Sequence, residues 1–208
     1  MNVIILGSNG MLGSMLAFIG KTIYKQHTII PIGRTEYDIL IDPIENIQKL
    51  FEKNCCIINC IGAIPQKKYT QDEYDRINTT FPQDLSQLCL HNSVPLIHIS
   101  TNCVFSGVKS NYIESDVPDA EDVYGKSKAL GEPAYGLTIR CSIIGPEKST
   151  HAGLLEWFLQ CSDSSVNGYI DSYWNGLTTL ELSHIIFDII NIGIMSDVGT
   201  LLLKYYYF

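Results

Sequence analysis

Charge, cation clusters and long apolar runs are scarce in this sequence of 208 residues. Charged residues make up 17%, and 14 Lys and Arg against 22 Asp and Glu give a formal net charge of −8. Because no Lys/Arg cluster is present to neutralise phosphates, the composition argues against a nucleic-acid-binding protein. No apolar run approaches the roughly 20 residues that span a bilayer, and the run after Met1 is too short for a targeting segment. We therefore expect a compact cytoplasmic protein without membrane association.

Cysteine pairs with metal-binding spacing are also missing. The seven cysteines are odd in number; none forms a Cys-x-x-Cys pair, and no two-cysteine, two-histidine spacing occurs. Most lie in apolar, strand-like segments, where a cysteine behaves as a small buried hydrophobe. This pattern predicts no metal site and indicates a reducing compartment.

A glycine-rich turn follows the first predicted strand. Residues 2–6 are mostly apolar and rich in β-branched residues, and the sequence GSNGMLG at residues 7–13 leads into an apolar helical pattern from Met11 to about Tyr24. Glycines allow a tight turn and close backbone approach, while the helix N-terminus presents N–H groups and a positive dipole end. Strand, glycine turn and helix together predict a pyrophosphate-binding site.

The end of the second predicted strand, residues 27–32, carries the residues expected to read the adenosine ribose. A carboxylate there binds the 2′-hydroxyl of NAD, whereas an arginine accommodates the 2′-phosphate of NADP. Arg34 favours NADPH. Because Glu36 and Asp38 lie nearby, NADH remains the alternative cofactor, and Arg34 could equally be a solvated loop residue.

Two further predicted strands end in polar segments. Residues 55–60 lead into Asn59–Ala63, and residues 96–99 lead into a run that begins Ser100-Thr101-Asn102. Ligands of doubly wound sheets bind at the carboxyl ends of the strands, so the first segment should line the cofactor's ribose and phosphates. The hydroxyls of the second segment are suited to hydrogen-bond a substrate carbonyl.

Tyr124 and Lys128 are spaced to share one face of a helix. A phenol has an ordinary pKa of about 10, and a neighbouring ammonium lowers it, so the pair predicts a proton donor for a developing alkoxide. An amphipathic surface helix is the bland alternative, since this spacing is frequent by chance.

The alternation of strands and helices predicts a Rossmann-like, doubly wound parallel α/β sheet. We assign residues 1–145 to an NAD(P)-binding domain. Residues 146–208, where the alternation loosens, are assigned to a shortened substrate-binding lobe that packs on the first domain rather than folding independently.

Taken in order, these motifs resemble the extended short-chain dehydrogenase/reductases and, among them, the dTDP-4-dehydrorhamnose reductase family. The segments that carry the resemblance are GSNGMLG (7–13), NCIG (59–62), ISTNCVF (99–105), YGKSKALGE (124–132), TIRCSIIG (138–145) and WNGLTTLEL (174–182). The resemblance implies NADPH-dependent reduction of the 4-keto group of a nucleotide-linked 4-keto-6-deoxy-hexose.

The resemblance also implies residue roles. Tyr124 would protonate the sugar oxygen, Lys128 would hold the nicotinamide ribose and lower the pKa of Tyr124, and Thr101 would bind the keto oxygen. Substrate contacts would come from Thr101, Asn102 and Ile143. Cofactor contacts would come from Tyr124 and Lys128 and from Gly7, Gly10, Met11, Leu12, Gly13, Arg34, Asp38, Ile39, Ile61, Gly62, Ala63 and Ile99.

Two departures from the family pattern keep a second hypothesis open. Asn102 stands where the family commonly has aspartate, and family members usually continue well beyond residue 208. The substrate lobe would then be incomplete, remodelled, or completed by a second copy or another chain. The alternative function is a non-catalytic NADP(H)-binding regulatory or partner subunit of the same fold. Epimerisation or dehydration ranks lowest, because no additional acid/base pair is evident.

Overall fold

Eight β-strands were identified in the residues that the structure describes. We describe them from a computed structural model, which covers residues 1–109, 111–148, 153–161, 165–171 and 174–193, and the backbone of 199–202. The strands are β1 (Asn2–Leu6), β2 (Thr28–Ile32), β3 (Cys55–Asn59), β4 (Leu96–Thr101), β5 (Leu137–Cys141), β6 (Ile143–Ile144), β7 (Leu177–Thr178) and β8 (Gly199–Leu202).

Six of these strands form one parallel sheet in the order β2-β1-β3-β4-β5-β8. The order reverses between β1 and β3, which is the switch point where such sheets bind ligands beyond the strands' carboxyl ends. The central strands β1 and β3 are apolar and almost fully buried, as expected of a sheet covered on both faces. The predicted doubly wound fold is confirmed.

Seven α-helices were identified in the described part of the chain. They are α1 (Met11–Thr22), α2 (Glu45–Gln48), α3 (Gln71–Tyr74), α4 (Phe81–Asn92), α5 (Val123–Leu130), α6 (Leu154–Gln160) and α7 (Thr179–Ile192). A π-helix (Asp75–Thr80) joins α3 to α4, and a 3₁₀ turn (Asn102–Val104) follows β4. None of the helices in these residues is both long and apolar enough to cross a membrane.

The sheet separates two apolar cores. On one face, Leu16 and Ile19 of α1 pack with Ile186 and Phe187 of α7. On the other face, Phe81 and the rest of the apolar side of α4 cover the sheet. Helix α7 completes the core on the first face, and β8 pairs with β5 at the edge of the sheet. These two elements, which fall within residues 146–208, thus pack with the same sheet as β1 to β5.

The sequence predicts a helix from Pro43 to about Lys53 and another from about Ile77 to Asn92, and both differ from the helices observed. The helix expected after Pro43 is reduced to α2, because the backbone N–H groups of Leu50 and Phe51 bond to the carbonyls three residues earlier, in turns rather than in an α-helix. The helix expected from Ile77 begins earlier, at residue 71. There Thr70 and Glu73 form a reciprocal capping box that fixes the start of α3.

Candidate active site

A cleft of about 910 Å³ lies at the carboxyl ends of β1, β3, β4 and β5. It brings together most of the site residues predicted from sequence. Those that line it are Gly7, Gly10, Met11, Leu12, Arg34, Asp38, Ile39, Ile61, Gly62, Ile99, Thr101, Tyr124, Lys128 and Ile143. Gly13, Ala63 and Asn102 are not among the residues that line it.

The glycine turn at the start of α1 is shaped to admit a phosphate group. Gly7 has φ +77°, a conformation that strongly favours glycine, and its carbonyl accepts the Gly10 N–H at 3.0 Å. Helix α1 begins without a side-chain cap and has no acidic residue in its first turn. Its first amides have no intrahelical partner and the dipole favours an anion, so the turn fits a pyrophosphate.

Gly13 supports this turn from behind. A Cβ at residue 13 would lie 2.3 Å from the Gly7 carbonyl oxygen, so only glycine lets α1 pack this closely on the turn. Gly13 therefore has a packing role at this turn, which is the role of the third glycine in dinucleotide-binding turns.

Cationic side chains gather at the cleft although the chain is acidic overall. Arg34, Lys67, Lys128 and Lys148 line it. Arg34 is exposed, and its Nε donates to Asp38 Oδ2 at 2.9 Å. Glu36 instead accepts the backbone N–H of Gly33 at 2.8 Å, which removes that carboxylate from competition for a ribose. Lys67 and Lys148 were missed in the sequence because both lie in polar loops and neither belongs to a recognisable motif.

Asn78, in the π-helix, holds the loop after β3. Its Oδ1 accepts the Ala63 N–H at 2.8 Å, and its Nδ2 donates to the Ala63 carbonyl at 3.0 Å and to Ser127 Oγ at 3.0 Å. Ala63 is fully buried with both backbone groups engaged, so the loop meets the cleft through its neighbours Ile61 and Gly62. Asn78 thus fixes the position of this loop relative to α5.

A buried histidine holds the same loop from the sheet side. Asn59 Nδ2 lies 3.2 Å from His98 Nδ1, and Asn59 Oδ1 accepts the Ile61 N–H at 3.1 Å. Burial, reinforced by the charge of Lys128, lowers the pKa of His98 well below its usual value, so the ring is neutral at physiological pH. His98 therefore acts as a hydrogen-bonding part of the core.

Tyr124 and Thr101 meet where α5 approaches β4. Asp122 caps α5 by accepting the Gly125 N–H at 2.9 Å. A Cβ at Gly125 would lie 2.3 Å from the Cys103 carbonyl oxygen, so glycine permits the close approach of the helix. The side chains of Thr101 and Tyr124 both line the cleft, and they are close enough for Thr101 to lower the pKa of Tyr124. Two hydroxyls thus sit together in the cleft, as donors to one carbonyl oxygen would.

The pKa of Tyr124 departs from the expectation. Burial raises it to about 12, and the hydrogen bond with Thr101 opposes this only in part. The expected lowering by Lys128 is wrong for this state of the protein. The ammonium is engaged elsewhere, because Lys128 Nζ donates to the Ile99 carbonyl at 2.8 Å. Desolvation of the phenol is the largest cause of the raised pKa, and the neighbouring Asp122 carboxylate adds to it. Tyr124 is therefore fully protonated at neutral pH.

The pKa of Lys128 is shifted as well. The side chain is almost fully buried, and burial lowers its pKa to about 8, although the neighbouring Cys141, Glu132 and Cys60 favour the charged form. The lysine is thus an ammonium at neutral pH and loses its charge only slightly above it. That charge lies at the end of the cleft that holds Tyr124.

A buried ion pair joins the end of α5 to β4 and β5. The Glu132 carboxylate accepts from Arg140 Nε at 2.8 Å and Nη2 at 2.7 Å, and from Ser100 Oγ at 2.7 Å. Arg140 Nη1 also donates to the Glu114 carbonyl at 3.1 Å. Because Ser100 precedes Thr101 and Glu132 follows Lys128 by one helical turn, this network fixes both halves of the hydroxyl pair relative to each other.

Asn102, which was predicted to contact substrate, lies outside the lining of the cleft. Its Oδ1 is buried and has no hydrogen-bond partner among the described residues, and the residue does not line the cleft. It sits in the 3₁₀ turn, where Thr101 Oγ1 accepts the Cys103 N–H at 3.1 Å. Of the two predicted substrate contacts Asn102 and Ile143, only Ile143 lines the cleft.

Known proteins share both the sequence and the fold. A family model described as "RmlD substrate binding domain" matches residues 1–143. A dTDP-4-dehydrorhamnose reductase of Mycolicibacterium smegmatis is 30% identical over 137 residues, which cover 64% of this chain and 40% of the relative. The matched segment thus spans less than half the length of this curated relative.

Solved structures extend the likeness to the whole chain. A dTDP-4-dehydrorhamnose reductase from Clostridium acetobutylicum gives a TM-score of 0.81 at 21% identity, covering 100% of this chain and 75% of that one. The enzyme of the same name from Bacillus anthracis, solved in complex with NADP, gives a TM-score of 0.81 at 22% identity, covering 99% and 75%. At these identities the likeness establishes a common fold.

Proposed function

The chain belongs to the family described as RmlD substrate binding domain, and from this premise we propose that it uses NADPH to reduce the 4-keto group of a nucleotide-linked 4-keto-6-deoxy-hexose. The observation that carries the proposal is the cleft, in which Thr101, Tyr124 and Lys128 share one cavity with the glycine turn and Arg34. Relatives that carry the name dTDP-4-dehydrorhamnose reductase support dTDP as the carrier.

The residues of the cleft fit a dinucleotide cofactor. The amides of Met11 and Leu12 would bind the pyrophosphate, and Gly62 would lie beside a ribose. Arg34 would meet the 2′-phosphate, with Asp38 and Ile39 near the adenine. Lys128 would hold the nicotinamide ribose. When bound, the reduced cofactor supplies a hydride to the carbonyl carbon.

The Tyr124 hydroxyl, paired with that of Thr101, would supply the proton that the reduction requires. Thr101 and Tyr124 both donate hydrogen bonds to the keto oxygen, which polarises the carbonyl. As the carbon accepts the hydride, Tyr124 transfers its phenolic proton to the oxygen, and the ketone becomes a secondary alcohol. The ammonium of Lys128 stabilises the phenolate left behind, and a proton from solvent restores the phenol. The raised pKa of Tyr124 keeps the proton in place until the oxygen acquires charge.

Arg34 should determine the preference between the two cofactors. Because an arginine at the end of β2 neutralises the 2′-phosphate, we expect Arg34→Ala to raise the KM for NADPH roughly 10-fold, the weight of one charge-assisted hydrogen bond of about 1.5 kcal/mol. The KM for NADH should remain nearly constant. Steady-state kinetics with both cofactors checks this. An equal effect on both cofactors would remove Arg34 from 2′-phosphate recognition.

Lys128 should make NADPH binding depend on pH. Its pKa in the folded protein, about 8, lies below the ordinary value of 10.5. The charged form is thus present below pH 8 and is lost as the pH rises through 8, so the Kd for NADPH should increase there. The same shift should also make the free energy of unfolding of the cofactor-free protein rise with pH between pH 8 and 10.5. In this range the unfolded chain still holds the Lys128 proton that the folded chain has lost.

Fluorescence titration of NADPH across this pH range measures the effect. In Lys128→Met the rise of the Kd near pH 8 should be absent, and the affinity should be low throughout. A wild-type Kd that stays level through pH 8 and 9, or a rise that persists in Lys128→Met, would assign the pH dependence to another group.

One observation favours a second candidate function, a non-catalytic NADP(H)-binding subunit. Four apolar side chains of α6 are exposed: Leu154, Trp157, Phe158 and Leu159. A surface of this kind fits contact with further protein. Binding of NADPH without turnover of any sugar nucleotide, together with a stable complex with a partner chain, would favour this candidate over the reductase.

A further inference from the structure

A second, smaller cavity of about 250 Å³ adjoins the cleft. We call it the side cavity; it is lined by Met11, Ser142, Ile143, Ile144, Leu154 and Trp174. Four of these residues, Met11, Ser142, Ile143 and Leu154, also line the main cleft, so the two spaces share a wall or an opening. None of the six carries a charge.

Trp174 forms a fixed wall of the side cavity. Its indole Nε1 donates to Ser142 Oγ at 2.7 Å. A Cβ at Gly176 would lie 2.1 Å from Trp174 Cζ2, so the ring lies directly over that glycine. The Leu177 N–H donates to the Ser142 carbonyl at 2.8 Å, where β7 begins to pair with β6. The position of the indole is thus fixed by the hydrogen bond of its nitrogen to Ser142 and by its packing on Gly176.

The side cavity lies close to the reacting group. Thr101 and Cys141 are register partners in β4 and β5, and neighbouring strands are about 4.8 Å apart. Ser142 is one residue further along, a step of about 3.3 Å. A group entering the side cavity is therefore attached near the carbonyl that Thr101 holds.

The lining selects an apolar group. The polar side-chain groups among the six are the Ser142 hydroxyl and the Trp174 indole N–H, and they are hydrogen-bonded to each other at 2.7 Å. A hydroxyl placed against the faces of Ile143, Ile144 and Trp174 would lose its water without regaining full hydrogen bonding. An apolar pocket of this kind rejects an added hydroxyl by a factor of about 100 at most.

We propose that the side cavity, with Trp174 as its wall, receives the methyl group at C6 of the substrate and so selects deoxygenated sugars. In a hexopyranose, C6 is attached to C5, the ring carbon next to the 4-keto carbon. The inference rests on the proposed function, which places that keto group at Thr101 and Tyr124. Trp174 then determines specificity without taking part in proton transfer.

Binding of two stable sugar nucleotides tests the proposal separately from turnover. dTDP-L-rhamnose and dTDP-L-mannose differ only by a hydroxyl at C6, and calorimetry with the NADP-bound protein gives both Kd values. We expect the 6-deoxy sugar to bind roughly 10- to 100-fold more tightly. In Trp174→Ala the ratio should fall toward one, mainly through weaker binding of dTDP-L-rhamnose. Trp174→Phe, which keeps an aromatic wall, should retain most of the preference.

Trp157→Ala is the matched control. Trp157 has the same exposed fraction as Trp174, 48%, and lines neither cavity. Its replacement should leave the ratio unchanged. A wild-type ratio near one, or equal ratios in wild type and Trp174→Ala, overturns the role of the side cavity even if the protein turns over its substrate. Absence of turnover alongside a Trp174-dependent ratio would instead reject the reductase and keep the side cavity as a deoxysugar site.

Discussion

Replacing Tyr124 by phenylalanine is expected to lower turnover roughly 100- to 10,000-fold, the range in which a positioned general acid contributes, with little change in the Kd for NADPH. The variant removes one hydroxyl from the cleft and keeps the ring that packs beside Thr101. Because burial raises the pKa of Tyr124 to about 12, no other state of this residue contributes at neutral pH. Single-turnover kinetics with bound NADPH isolates the chemical step.

Tyr135→Phe is the matched control. Tyr135 donates its hydroxyl to the Val94 carbonyl at 3.2 Å, near the amino end of β4, and it does not line the cleft. Its replacement should leave kcat unchanged. If Tyr124→Phe, with normal NADPH binding, lost no more than a few-fold in turnover, another group would supply the proton and the assignment of the acid would be wrong.

Replacing Arg140 by methionine should destabilise the protein by about 3–5 kcal/mol, the usual loss when one partner of a buried ion pair is removed. The side chains of Arg140 and Glu132 are only 6% and 12% exposed, and the pair is bidentate. Without the guanidinium, the Glu132 carboxylate would remain buried with Ser100 as its nearest donor. For a chain of this length the melting temperature should fall by roughly 6 to 20 °C.

Denaturant unfolding of three variants tests whether the loss of stability in Arg140→Met comes from the broken ion pair. Arg76→Met removes a surface pair with Asp84, whose side chains are 34% and 45% exposed, and should cost about 0–1 kcal/mol. Combining Arg140→Met with Glu132→Leu removes both charges and should recover much of the stability. If Arg140→Met were no more damaging than Arg76→Met, the Glu132–Arg140 pair would not be what holds α5 to β4 and β5.

The sequence predicted those parts of the site that depend on local backbone geometry. The sequence pattern of strand, glycine turn and helix predicted the turn around Gly7 and Gly10, and this turn lines the cleft at the start of α1. The doubly wound fold and the family resemblance are both confirmed. These features are readable because buried strands need apolar runs and because a positive φ or a close backbone approach restricts a position to glycine.

Other features depend on contacts between distant segments. Asn78, within the π-helix, hydrogen-bonds to Ala63 and Ser127. No local sequence pattern predicts the extra residue of a π-helical turn. The pairing of Glu132 with Arg140 required the sheet register. Spacing alone predicted that Tyr124 and Lys128 share a helix face, but the direction of the phenol's pKa shift depended on burial, which spacing does not reveal.

Reduction of a sugar nucleotide by this chain is the central claim, and NADPH absorbance on addition of dTDP-4-dehydrorhamnose to the wild-type protein tests it most directly. We predict a loss of NADPH equal to the dTDP-rhamnose formed, and none without the sugar nucleotide. If the protein bound NADPH, as fluorescence would report, yet the absorbance stayed constant with the sugar nucleotide present, the claim would be contradicted and the non-catalytic subunit would be the better account.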